Sequence, residues 1–199
     1  MLVTAINFAI LLLSLLVLVN AKARLQTLIR MLLYIMVLCS IVMLYSAYSR
    51  LALYEEAYGY TQIRFLVHAF MIFLALLLVL ASVRISRAQF PLMKCYIVLG
   101  LLSYVIMNYI GMDRIIAEQN IARYESSGKL DTYYLTGLSW DAVPRLIAFN
   151  TQENGLLDQS LREKWSNQSH NKQEWFSFNV SKYRGQQALE RYVEGQQTP

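Results

Sequence analysis

Acidic residues are almost missing from the first 112 positions, where Glu55 and Glu56 stand alone against eight Lys/Arg. Charge of either sign is scarce in the whole chain, at 16% of residues, where soluble proteins carry roughly a quarter. Set beside 56% hydrophobic residues, that scarcity excludes an ordinary soluble domain and implies a membrane protein. The two cysteines, Cys39 and Cys95, both fall inside apolar runs, where a thiol behaves as a small hydrophobe. No disulfide framework or CxxC metal pattern is present. HExxH, GxSxG and Walker-type glycine loops are missing too. An enzyme reading is therefore unsupported, and no catalytic, cofactor-binding or metal-ligating residue is assigned. Residues 113–199 carry ten Lys/Arg against eleven acids, so the basic balance belongs to the membrane half. It points to loops facing anionic lipid and away from nucleic acid.

What is there is a series of apolar runs. The expected fold is all-α: four transmembrane helices at about 2–20, 31–57, 62–83 and 91–112, followed by a small extramembrane helical domain over 113–199. Met1 to Asn20 is uncharged and about as long as the ~20 residues that span a bilayer. Ala21-Lys22-Ala23 offers a cleavage-site alternative, but the run has no basic residue before it and exceeds the usual ~7–15-residue signal core, which favours an anchor. Tyr45 and Tyr48 begin an aromatic belt in the second crossing. Ser49 to Ala57 contains neither Pro nor Gly, so that helix is expected to project beyond the interface and end near Gly59, a residue suited to a left-handed cap. His68 is the only ionisable residue between Phe65 and Val83, Arg84 and Arg87 close the third crossing, and Pro91 suits the first turn of the fourth. Lys94 can snorkel to the interface.

Beyond Met112 the pattern predicts an amphipathic helix over 113–125, along or just above the membrane surface. Ser126-Ser127-Gly128 ends it. Further helices are expected at 131–138, 141–149 and 152–166, with Ser139 or Asp141 as cap for the second. Leu157, Leu161 and Trp165 share one face of the third. A polar loop, 167–173, precedes a last aromatic-rich segment over 174–194. Six Lys/Arg lie in the connections before the second and fourth crossings, against two between Arg50 and Arg64. The positive-inside rule places the six in the cytoplasm and the C-terminal domain outside it.

Candidate functional or interfacial residues are Arg50, Glu55, Glu56, Arg64, His68, Asn108 and Asp113. A carboxylate pair between two crossings could bind a cation or relay protons. The blander alternative leaves both glutamates interfacial, solvated or paired with Arg50 and Arg64. Adjacent helical residues point about 100° apart, which disfavours chelation of one ion by both. A lone histidine such as His68 more often bonds a neighbouring helix than a metal, and His170 supplies no second ligand by spacing. Asn108, Asp113 and Arg114 could simply cap and anchor the exit of the fourth helix.

The run Leu51-Ala-Leu-Tyr-Glu-Glu-Ala-Tyr-Gly-Tyr-Thr-Gln-Ile-Arg-Phe65 resembles a known family. So do Asn108-Tyr-Ile-Gly-Met-Asp-Arg-Ile-Ile-Ala-Glu-Gln-Asn-Ile-Ala-Arg123, Gly128-Lys-Leu-Asp131, Leu138-Ser-Trp-Asp-Ala-Val-Pro144 and Trp175-Phe-Ser-Phe-Asn-Val-Ser181. The resemblance is to bacterial polytopic membrane proteins of the domain-of-unknown-function 4173/4153 type, from about residue 31 onward. It implies a bacterial inner-membrane location and carries no activity. Such proteins are typically longer, with more helices ahead of this part, so the chain resembles a C-terminal portion, either a natural short form or a truncated frame. Gly111-Met112-Asp113 stands where the family usually has Asn-Pro-Asp or similar. The expected role is a non-catalytic membrane component or partner-binding subunit. The alternatives are an ion-coupled transport role around Glu55, Glu56, Arg64 and His68, and a membrane-embedded enzyme using the same acids. Expected partners are the lipid bilayer and other membrane helices or a second copy of the chain.

Overall fold

A backbone inside hydrocarbon must satisfy its own N–H and C=O groups, and the α-helix does so within one segment. The computed structural model describes residues 2–18, 23–87, 89–169 and 179–195, and among them it contains helices and no strand. In chain order these are α1 (Leu2–Leu18), α2 (Ala23–Tyr58), α3 (Gln62–Ser86), α4 (Leu92–Tyr109), α5 (Met112–Ser127), α6 (Thr132–Gly137), α7 (Val143–Gln152), α8 (Asp158–Ser169) and α9 (Val180–Gly195). They form two compact units: residues 1–58 with 63–109, and residues 59–62 with 110–199.

In the first unit α2 and α3 run antiparallel, as Glu55 facing His68 and Tyr34 facing Ser86 require. Leu11 and Leu15 of α1 pack with Leu33, Val37, Ala81 and Ile85 in one apolar cluster. Leu44, Met71, Leu74 and Leu77 make a second, joined by Phe8, Tyr96 and Leu99. Three helices among the described residues are long and apolar enough to cross a membrane, at Leu25–Tyr58, Gln62–Ser86 and Leu92–Tyr109. The expected count of four is thereby corrected. The described part of α1 has 17 residues, about 26 Å of helix, short of the ~30 Å hydrocarbon core. α2 begins eight residues before the expected position 31, because Arg24 to Arg30 are good helix formers with no breaker among them. It ends where Gly59 takes φ 86°. α4 stops at Tyr109 and not at 112, since Gly111 is left-handed at φ 65°, ψ 57°.

The second unit is held by side chains from every helix in it. α5 spans Met112–Ser127 and ends on left-handed Gly128. Its Ile116, Ala117, Asn120 and Ile121 are buried within this unit, and Tyr124 meets Phe149 of α7 edge-on at 5.6 Å. The stripe expected to lie along a membrane surface thus packs against protein. α7 starts after Ala142 with Pro144 in its first turn and no side-chain cap. Ser139 and Asp141 contact one another, so neither fills the expected capping role. The helix expected from 152 begins instead at Asp158: Asn154 at φ 52° and Gly155 at φ 89° turn the chain first. In the last expected segment, 170–178 lies outside the described residues, and α9 follows at Val180–Gly195.

Gly185 lets α9 approach the chain closely, because a Cβ there would lie 2.2 Å from the Trp140 carbonyl oxygen. The neighbour is backbone and cannot swing aside. Gly185→Ala is expected to destabilise the second unit by about 1–3 kcal/mol and to speed proteolysis at α9, measured against Gly195→Ala, whose Cβ meets nothing within 4 Å.

Candidate functional site

Near the end of α2 the carboxylate of Glu55 turns into the helix interface. Its side chain is 3% exposed, and Oε1 lies 3.3 Å from Nδ1 of His68 on α3. The two residues meet because α2 and α3 are antiparallel and the chain reverses at the glycine between them. Tyr48, also on α2, packs its ring against the imidazole with centroids 4.6 Å apart. Arg64 lies one turn before His68 and places its guanidinium 4.7 Å from the centre of the Tyr54 ring. Leu51 and Val67 join the apolar cluster next along the same helices.

A carboxylate removed from water costs several kcal/mol unless its charge is matched. The Glu55–His68 contact gives that carboxylate one polar partner inside the helix interface. The other imidazole nitrogen is unanswered: Nε2 is buried and is the one side-chain nitrogen or oxygen so placed without a hydrogen-bond partner among the described residues. Leaving such a group unsatisfied costs about 1–3 kcal/mol.

The remaining candidates separate from this pair. Glu56 and Arg50 are exposed, as adjacency on a helix demands for Glu56 once Glu55 points inward. Asn108 is exposed and donates to the Tyr104 carbonyl one turn back on its own helix, at 2.7 Å. Asp113 is 5% exposed and belongs to the second unit. It accepts from Gln62 Nε2 at 2.7 Å and from the Ser139 backbone N–H at 2.9 Å, so it ties the first residue of α3 to the chain between α6 and α7. Among the described residues no group of three His, Cys, Asp or Glu is placed to hold a metal ion.

Sequence reasoning passed over the polar centre of the second unit. Lys164 donates from Nζ to the carbonyls of Thr136 and Leu138 and lies 5.1 Å from the centre of the Trp140 ring. Burial pushes its ammonium below the ordinary lysine value, against the opposing pull of Asp113 and Asp141. The signal was present: position 164 lies three after Leu161 and beside Trp165, on the face assigned to the core. Asn120 likewise brackets Tyr60, accepting from its N–H at 3.0 Å and donating to its carbonyl at 2.9 Å. Asp158 accepts from Asn150 and from the Tyr192 hydroxyl; burial first, then that bond, raises the Tyr192 phenol above its ordinary value.

A family model described as a domain of unknown function (DUF4153) matches residues 1–149. The match includes the Glu55–His68 pair and α1 to most of α7. No curated protein and no solved structure matches the chain.

Lys164 carries a prediction whose sign follows from its depressed value. In the window between that lowered value and the ordinary 10.5, the unfolded chain holds more protons than the folded one, so stability rises with pH there. Lys164→Met should lose that rise. It should also lower stability by about 1–3 kcal/mol, because two buried carbonyls lose their donor. Thermal unfolding of wild type and variant across alkaline pH tests both effects.

Proposed function

The chain belongs to the DUF4153 family of domains of unknown function, and from that premise we propose that it is a proton-responsive, non-catalytic component of the bacterial inner membrane. The Glu55–His68 pair is the site that takes up and releases the proton. The observation that carries this reading is the buried carboxylate at 3.3 Å from an imidazole whose second nitrogen is buried and unpartnered. Ionisable groups among apolar membrane helices are costly, about 2.5–3.5 kcal/mol for a charge at the centre of a crossing, and are retained where they do something. Tyr48 packs a tilted ring against the imidazole, and Arg64 lies over the Tyr54 ring.

The surroundings support a membrane component with helical partners. α4 has no buried residue, and Met93, Ile97, Leu101 and Tyr104 on it are more than half exposed. Lipid or the helices of another subunit, including a second copy, would cover that face. The six Lys/Arg at the start of α2 and around the α3–α4 connection favour the cytoplasm for that end. By chain connection, the second unit then follows on the extracytoplasmic side.

A second reading, a purely structural membrane subunit, draws on the tilted Tyr48 ring contact, which would hold the imidazole as a static clip. Infrared difference spectra of the protein in lipid vesicles, taken across a pH step, separate the two. A carboxyl C=O band that responds to the step, and any pH-dependent flux, are expected to vanish in Glu55→Gln and to survive in Glu56→Gln. A Glu55→Gln spectrum and flux identical to wild type would leave only the static clip.

A further inference from the structure

A groove of about 490 Å³ opens in the first unit between α1 and the α3–α4 connection, lined by Leu12, Leu15, Phe90, Met93 and their neighbours together with Arg84 and Lys94. Its walls are apolar, and among the described residues that line it the charged ones are the two cations. Arg84 is held in place by one bond from Nη1 to the Phe90 carbonyl, 3.1 Å, which leaves the other guanidinium N–H groups for an anion. Lys94 is exposed at the start of α4.

We propose that this groove binds an anionic phospholipid, with the phosphate on Arg84 and Lys94 and an acyl chain along the apolar wall. Three features of the molecule choose this occupant. The groove lies in the unit that contains the membrane-length helices, so a lipid is the amphiphile it meets. The wall is hydrocarbon from α1 and α4, which a free phosphate ion cannot use. The charge is of one sign: residues 1–54 and 57–112 contain no acid, and Glu55 and Glu56 sit at the far end of α2. The ammonium of a zwitterionic headgroup therefore finds no carboxylate of residues 1–112 at this end, while a net negative headgroup gains from both cations. Each basic side chain near an anionic headgroup favours it by about fivefold.

Native mass spectrometry of the detergent-purified full chain tests this with phosphatidylglycerol and phosphatidylcholine of identical acyl chains. Wild type is expected to retain phosphatidylglycerol over phosphatidylcholine by about 25-fold, from two charges. Lys94→Gln should reduce the preference by about fivefold, and Arg84→Gln with Lys94→Gln should abolish it. Arg50→Gln, which removes the same charge from the other end of α2, should leave it unchanged. Arg84→Gln breaks a bond of the fold, so circular dichroism accompanies it, and Lys94→Gln alone carries the test if the double variant misfolds. Equal retention of the two lipids by wild type, or undiminished preference in Lys94→Gln, overturns the proposal. Displacement of the lipid by inorganic phosphate at equal concentration also overturns it, since it would show an ion site with no acyl subsite.

Discussion

The constraint on which the membrane unit turns is the burial of Glu55. A carboxylate 3% exposed has exchanged its water for one imidazole nitrogen and the apolar sides of two helices. Everything around it follows from making that exchange tolerable. α2 and α3 must be antiparallel and in a register that sets residue 55 against residue 68. The reversal between them must be short, and Gly59 at φ 86° supplies it, in a region where a side chain would be strained. Glu56, one residue on, has to point elsewhere.

The two units solve the problem of specificity differently. The first relies on apolar clusters, in which Leu, Met and Ala positions exclude few alternative packings, with a handful of polar contacts to fix register: Asn7 with Ser40, Tyr34 with Ser86, Tyr96 with the Leu77 carbonyl, and Glu55 with His68. The second builds register from polar locks. Asp113 ties residue 62 to residue 139, Asn120 holds residue 60, Lys164 draws in the end of α6, and Asp158 joins α7 to α9 through Asn150 and Tyr192. The bonds to residues 60 and 139 fix connections between helices, where apolar packing says least about conformation.

Much of the membrane unit was legible in the sequence because long apolar runs admit one structure in a bilayer. Gly59 and Gly128 stopped their helices as their freedom at positive φ suggests. What misled was the use of charge as a boundary: Arg24 and Arg30 look like a connection, yet arginine propagates a helix well and α2 runs through them. Composition cannot say which of two adjacent residues faces a neighbouring helix: Glu55 is buried and Glu56 is exposed. In the second unit, Asn154-Gly155 is an ordinary turn dipeptide that a helix drawn from residue 152 overran. Asp113 was a candidate anchor for the exit of the fourth helix, and its partners at residues 62 and 139 are too distant in sequence for spacing to reveal.

The central claim is that Glu55 and His68 share a proton in the folded protein. The chain has two histidines, so ¹⁵N-histidine NMR in lipid bilayers, with His170→Gln for assignment, observes His68 alone. The account predicts a His68 Nδ1 resonance that is shifted and shielded from exchange with water, and that moves when Glu55→Gln is introduced. A His68 Nδ1 resonance that exchanges freely with water and is unchanged by Glu55→Gln would contradict it.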